Sequence, residues 1–239
     1  AAKNSWLIMI KLAVVGYGYW GPNLVRNICD CARADLAAVC DASPERLAVA
    51  AGRYPAARMS TSFADVLSDP QVDAVAIATP VSTHFELAMA ALKAGKHVLL
   101  EKPMTRTVAE AVQLVETADR LGLTLLTDHT FIYTEAVRAM RDLIVRGEVG
   151  DIYYYDSIRV NLGLFQHDVN VIWDLAVHDF SILDYILDDK PCAVSVTGLS
   201  HIPGSPENVA YASLFFDNNT IAHVNVNWLA PVKIRQTLV

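Results

Sequence analysis

Between Ile10 and about residue 130, short apolar runs alternate with stretches of helical period. The runs are Lys11–Val15, Leu36–Cys40, Ala74–Ala78, His97–Leu100 and Thr124–Thr127, and Pro44–Tyr54, Thr83–Ala94 and Thr107–Leu121 repeat every three to four residues between them. Strands that are apolar on both faces, separated by amphipathic helices, predict a parallel sheet covered on both sides. The punctuation agrees. Ser43 before Pro44 is an N-cap followed by proline at the first helical position, and Gly95 and Gly122 fall where a helix ends in the left-handed region.

After Thr130 the pattern changes. A helix is expected over Thr134–Arg146, ending at Gly147, with another over about Val169 to Leu187. The segments "GDIYYYDSIRV", "PCAVSVTGLS", "NVAYASLFF" and "TIAHVNVNWLA" alternate as half-buried strands do, the last two folding back through "FDNNT". The expected class is α/β: a doubly wound domain over residues 1–130, then an α+β domain over 131–239 with an open, mainly antiparallel sheet.

Composition fits this outline. The 239 residues are 53% hydrophobic and 19% charged, with a net charge of −7. No long basic run suggests a nucleic acid or an anionic membrane as partner. No apolar run of about 18 residues suggests a membrane span. Trp6–Ile10 is apolar but is interrupted by Lys11 without a cleavage-like segment, and Ala1–Asn4 read as added residues or the trace of a cut. Cys29, Cys31, Cys40 and Cys192 form no CxxC pair. They read as reduced thiols of a cytoplasmic protein, three of them packed in the first strand–helix–strand unit, with no metal site.

One loop carries chemistry. Gly16, Gly18 and Gly21 follow the first strand as G-x-G-x-x-G, Pro22 opens a helix, and Asp41 ends the second strand twenty residues beyond Gly21. Glycines at this spacing let the chain turn tightly and approach a pyrophosphate at the positive end of a helix, and the acid can hold ribose hydroxyls. Tyr19 and Trp20 lie within the loop. Asp41 would repel a 2′-phosphate, so NAD is favoured over NADP, although Arg46 could soften that preference.

The stretches "AVAIATPVSTHFELAMAALKAGKHVLLEKPMTRTVAEA", "LLTDHTFIYTEAV" and "WDLAVHDFSIL" resemble the glucose–fructose oxidoreductase/inositol dehydrogenase (Gfo/Idh/MocA) family of NAD(P)-dependent oxidoreductases, over roughly Ile10 to Trp228. The resemblance implies a Rossmann domain and hydride transfer between nicotinamide and a secondary hydroxyl of a sugar. It places Lys102 of Glu101-Lys102-Pro103 beside the nicotinamide and the reacting oxygen, and Asp174 and His178 in the substrate pocket as further catalytic groups. The family pattern Asp-x-Gly-x-x-His stands here as Asp174-Leu175-Ala176-Val177-His178, a departure at Ala176 and Val177. Thr79, Pro80 and His84 fall at a cofactor-lining position, and His129 and Tyr133 begin the interdomain segment. Asp179 is expected to be solvent-facing or structural.

The segment "SIRVNLGLFQHDVNVIWDL" resembles the branch acting on nucleotide-linked sugars such as UDP-N-acetylglucosamine and its uronate at carbon 3, with Arg159, Asn161, Gln166 and His167 as substrate contacts beside Lys102, Asp174 and His178. A free polyol as substrate, a keto-sugar reductase and a non-catalytic dinucleotide sensor are the alternatives. Members of the family are generally longer and pair their open sheets as homo-oligomers, so further strands and such pairing are expected of a complete chain.

Overall fold

The computed structural model describes residues 9–163, 165, 166 and 168–239. The chain folds into two compact units, Ala1–Asp128 and His129–Val239.

The first unit runs β1 (Ile10–Val15), α1 (Gly21–Asp30), β2 (Ala34–Cys40), α2 (Pro44–Arg53), β3 (Arg58–Ser60), α3 (Phe63–Ser68), β4 (Ala74–Ile77), α4 (His84–Lys93), β5 (His97–Leu100), α5 (Val108–Leu121) and β6 (Leu125–Thr127). Its sheet is wholly parallel, in the order β3-β2-β1-β4-β5-β6. The order reverses between β1 and β4, the crevice where doubly wound sheets bind dinucleotides. Successive residues point to opposite faces. Ala13, Val15, Val75, Ile77, Val98 and Leu100 therefore pack with Val66, Leu92, Leu114 and Ala118. On the other face Val14, Val39 and Ala76 meet Leu24, Val25, Ile28, Leu47 and Ala50.

The local signals act as expected. Ser43 accepts from the Arg46 amide at 3.3 Å, and Gly95 and Gly122 have φ of 77° and 65°. Thr107, expected within a helix, is instead its N-cap and closes a capping box with Glu110. Strand β3 and helix α3 are not foreseen from the pattern, because three and six residues carry too little periodicity. The Cys expectation needs correction: Cys40 is buried, but Cys29 and Cys31 lie exposed at the end of α1.

The second unit contains α6 (Glu135–Val145), β7 (Tyr154–Val160), a π-helical turn at Ile172–Ala176, α7 (Val177–Ile186), β8 (Ala193–Leu199), β9 (Val209–Phe215), β10 (Ile221–Asn227) and β11 (Ile234–Leu238). The sheet order is β11-β7-β10-β9-β8, antiparallel except where β7 pairs with β10. Its inner face places Tyr155, Ala210, Ala212, Leu214, Ala222, Val224 and Val226 in one core with Ile182, Leu183 and Ile186 of α7. Tyr154, Tyr211, Phe215 and Ile221 alternate onto the exposed face.

Candidate dinucleotide and substrate sites

The glycine loop is shaped by its glycines for different reasons. Gly16 has φ +96°, and a Cβ there would lie 2.6 Å from the carbonyl oxygen of Ala78 and 3.0 Å from Thr79 Cγ2. No other residue lets β1 pass so close to the end of β4. A Cβ on Gly21 would run into the Gly16 carbonyl, so α1 can begin against the strand only with glycine there. Gly18 is different: beyond its chain neighbours a Cβ would meet only Arg46 Nη1, at 3.7 Å. The middle of the loop is thus an open cradle. No side chain caps the start of α1, which leaves its amide end to a ligand. Tyr19 and Trp20 stack beside it with centroids 6.5 Å apart, Tyr19 86% exposed.

Asp41 is buried at the end of β2. It accepts from the Tyr17 amide at 2.6 Å and the Ser43 amide at 2.8 Å, and Arg46 Nη1 stands 3.6 Å away. The carboxylate therefore ties the glycine loop to the start of α2 and still has lone pairs for a ribose. The donor and acceptor set, with the open cradle at Gly18, fits a dinucleotide.

At the carboxyl end of β4, Thr79 accepts from Thr83 Oγ1 at 2.7 Å, and Pro80 is exposed. His84 turns inward. Its ring is 1% exposed, with Nδ1 2.9 Å from the Pro103 carbonyl and Nε2 2.9 Å from the Thr79 carbonyl. It is a clamp between two loops that border the site, and its burial leaves no ring edge for a cofactor. Pro103 follows Lys102 through a cis peptide.

Glu101 and Lys102 leave the end of β5, half-buried, and the Lys102 amide donates to Glu101 Oε2 at 3.1 Å. One residue beyond the neighbouring β6 lies Asp128, in register beside Glu101. Burial, then the neighbouring Asp128, push the Glu101 carboxyl up to about 8. Asp128 is not among the residues expected from the sequence; an acid directly after the strand that neighbours Glu-Lys-Pro is the signal that could have found it.

In the second unit Asp174 lies in the π-helical turn and His178 in the first turn of α7, both half-buried. Asp174 Oδ2 accepts from the indole N–H of Trp228 at 3.1 Å. His178 meets the ring of Phe131 edge-on at 4.8 Å; Phe131 lies in a short 3₁₀ turn that His129 precedes and Tyr133 ends. Asp179, expected to be solvent-facing or structural, is 1% exposed and wholly internal. It takes Arg159 Nε at 2.8 Å and Nη2 at 3.0 Å, and Ser157 Oγ at 2.6 Å. The fork expected to reach substrate is therefore committed to an internal carboxylate, with Phe131 over its face at 4.5 Å. Asn161 donates its amide to the Asn227 carbonyl at 3.2 Å, and Gln166 is half-buried. His167 lies outside the described residues.

Among the described residues no helix is long and apolar enough to cross a membrane. Residues 10–129 match the model of the oxidoreductase family GFO_IDH_MocA, NAD-binding Rossmann fold, and residues 137–239 match a GFO/IDH/MocA C-terminal domain. The chain is 32% identical over 180 residues to the 1,5-anhydro-D-fructose reductase of Ensifer adhaerens, covering 71% of this chain and 54% of that protein. It is 30% identical over 221 residues to the UDP-N-acetylglucosamine 3-dehydrogenase of Acidithiobacillus ferrooxidans, covering 91% and 67%. The crystal structure of GenD2 from gentamicin A biosynthesis, in complex with NAD, superposes with a TM-score of 0.89 at 25% identity, covering 99% of this chain and 71% of that one. The chain thus spans between about half and 71% of the length of these relatives. With its glycine loop, its reversal of strand order and both of its units matched, the chain belongs to the GFO/IDH/MocA family of oxidoreductases.

Proposed function

We propose that this chain binds NAD and oxidises a secondary hydroxyl of a sugar, with a nucleotide-linked sugar such as the uronate of UDP-N-acetylglucosamine, at carbon 3, as the substrate class. The observation that carries the reading lies within the first unit. The Gly16–Gly21 cradle and Asp41 sit at the switch point of the same sheet that delivers Lys102 from the end of β5.

Gly16, Gly18, Gly21 and the start of α1 would hold the pyrophosphate, and Asp41 the adenosine ribose, with Arg46 beside it. Thr79 and Pro80 would line the cofactor, and His84 would hold their loop in shape. The nicotinamide, when bound, supplies a carbon that accepts or returns a hydride. Lys102 would hydrogen-bond the hydroxyl oxygen that becomes a carbonyl, and His178 would take the hydroxyl proton as its imidazole gains charge. Asp174, fixed by Trp228, would hold a sugar hydroxyl. An ammonium and an imidazole at the developing alkoxide would supply the electrostatic stabilisation the step requires. A homo-oligomer through the exposed face of the second sheet, which carries Tyr154, Tyr211, Phe215 and Ile221, belongs to the same reading.

The commitment of Arg159 to Asp179 favours a second reading, in which the substrate is an uncharged polyol. Both are tested by following nicotinamide absorbance with NAD and a panel of UDP-N-acetylglucosaminuronate, UDP-N-acetylglucosamine and free inositols, with Lys102→Ala alongside. The expected result is turnover of a nucleotide sugar that falls by at least two orders of magnitude in the variant. Faster turnover of an inositol selects the polyol. Turnover unaffected by Lys102→Ala removes the lysine from the chemistry.

A further inference from the structure

Glu101 and Asp128 are the residues that directly follow β5 and β6, neighbouring parallel strands whose last paired residues are Leu100 and Thr127. Their backbones are fixed there: the Glu101 amide donates to the Ile77 carbonyl at 3.0 Å, and the Asp128 amide donates to the Leu100 carbonyl at 2.8 Å. The register sets the two carboxyl side chains side by side, and Asp128 is the neighbour that, with burial, raises the Glu101 carboxyl. Ionised carboxylates only accept, so two neighbouring carboxyls bond to each other only when one of them carries a proton. Glu101 Oε1 is buried and receives no protein N–H or O–H, which makes full ionisation of the pair costlier still.

Among the described residues, Asp128, directly after β6, raises Glu101, and Lys102 from the same loop opposes it as the weaker influence. From α4, His84 faces the Pro103 carbonyl. In a doubly wound sheet the adenosine half of a dinucleotide lies over the first strand–helix–strand unit and the other half over the strands beyond the switch point, here β4, β5 and β6.

We infer that Glu101 and Asp128 share a single proton beside Lys102 and give it up when a positively charged nicotinamide ring binds next to them. This deepens the cofactor reading above and rests on it. The step is a simple ionisation: the carboxyl O–H bond breaks, its electron pair stays on oxygen, and the proton leaves to solvent. The pair then carries two negative charges against the ring and the ammonium. It takes a proton back from solvent once the ring is neutral. The pair would thus be a proton store matched to the redox state of the cofactor.

Proton release on binding tests this without any sugar. Calorimetric titrations with NAD and with NADH at pH 7.5, in buffers of different ionisation enthalpy, give the number of protons released by each. A positive charge within a few ångströms lowers a carboxyl by about one unit or more. From a starting value of about 8, NAD is expected to release about half a proton per site beyond what NADH releases. Glu101→Gln is expected to abolish that difference, and Asp128→Asn to do the same by a separate route. Equal release by NAD and NADH in the wild type overturns the inference, as does an undiminished difference in both variants. No binding of either form by the wild type overturns the cofactor reading with it.

Discussion

Asp41 shows how much one carboxylate organises. Two backbone amides, from Tyr17 within the glycine loop and Ser43 at the cap of α2, converge on its oxygens at 2.6 and 2.8 Å. The same negative charge disfavours a 2′-phosphate. Asp41→Asn keeps one acceptor but sets an amide donor against the remaining backbone N–H and removes the charge. NAD affinity is expected to fall about tenfold or more, since hydrogen bonds to charged groups contribute about 1.5–3 kcal/mol. The preference for NAD over NADP should shrink in parallel, and quenching of protein fluorescence by each nucleotide measures both. An unchanged ratio would mean that Arg46 already cancels the charge. At this scale the cradle and Asp41 are legible because backbone approach and spacing are written in residue types. The fates of His84, Arg159 and Glu101 are not, because each depends on a partner distant in the chain, such as Asp128 across a neighbouring strand or Asp179 on a helix.

The elements of the second unit carry their polar groups inward. Tyr155, Ser157 and Arg159 are two residues apart on β7 and share the face that meets α7, so Ser157 and Arg159 enter an otherwise apolar layer. Asp179 on α7 satisfies both. Removing one member of such a pair leaves a buried charge unmatched, at a cost of about 3–5 kcal/mol, whereas replacing both by apolar groups can be nearly neutral. Asp179→Ala is therefore expected to lower the denaturant midpoint of the second unit sharply, and Arg159→Met with Asp179→Leu to recover most of the loss. A double variant as unstable as the single one would show that packing around the pair, not charge, sets the cost. The helix itself is expected from the pattern as one run from about Val169 to Leu187. It instead enters through a π-helical turn at Ile172–Ala176, and α7 proper spans Val177–Ile186. A 3.6-residue period cannot disclose an extra residue in one turn. That turn carries Asp174 to the Trp228 indole at the end of β10.

For the whole molecule, the first sheet is readable because its strands are apolar throughout and parallel connections leave few orders open. The second is less so, since alternation identifies strands but does not say that β7 pairs parallel to β10. Stability of the first unit adds a global consequence of one buried acid. An unfolded chain ionises Glu101 near its ordinary value of 4.5, whereas the folded unit holds the proton up to about 8. Below 4.5 both states are protonated, and the contribution of Glu101 to stability is fully present. As pH rises from there, the unfolded chain loses its proton first and is favoured by up to about 1.4 kcal/mol per pH unit. The contribution is therefore lost progressively up to about pH 8, beyond which the slope vanishes. Glu101→Gln carries no such proton and should flatten the dependence. Thermal midpoints of the first unit measured from pH 4.5 to 9, wild type against variant, are expected to diverge by several degrees, with the variant gaining on the wild type as pH rises. Parallel curves would mean that the folded unit tolerates both charges, and with them the shared proton would go.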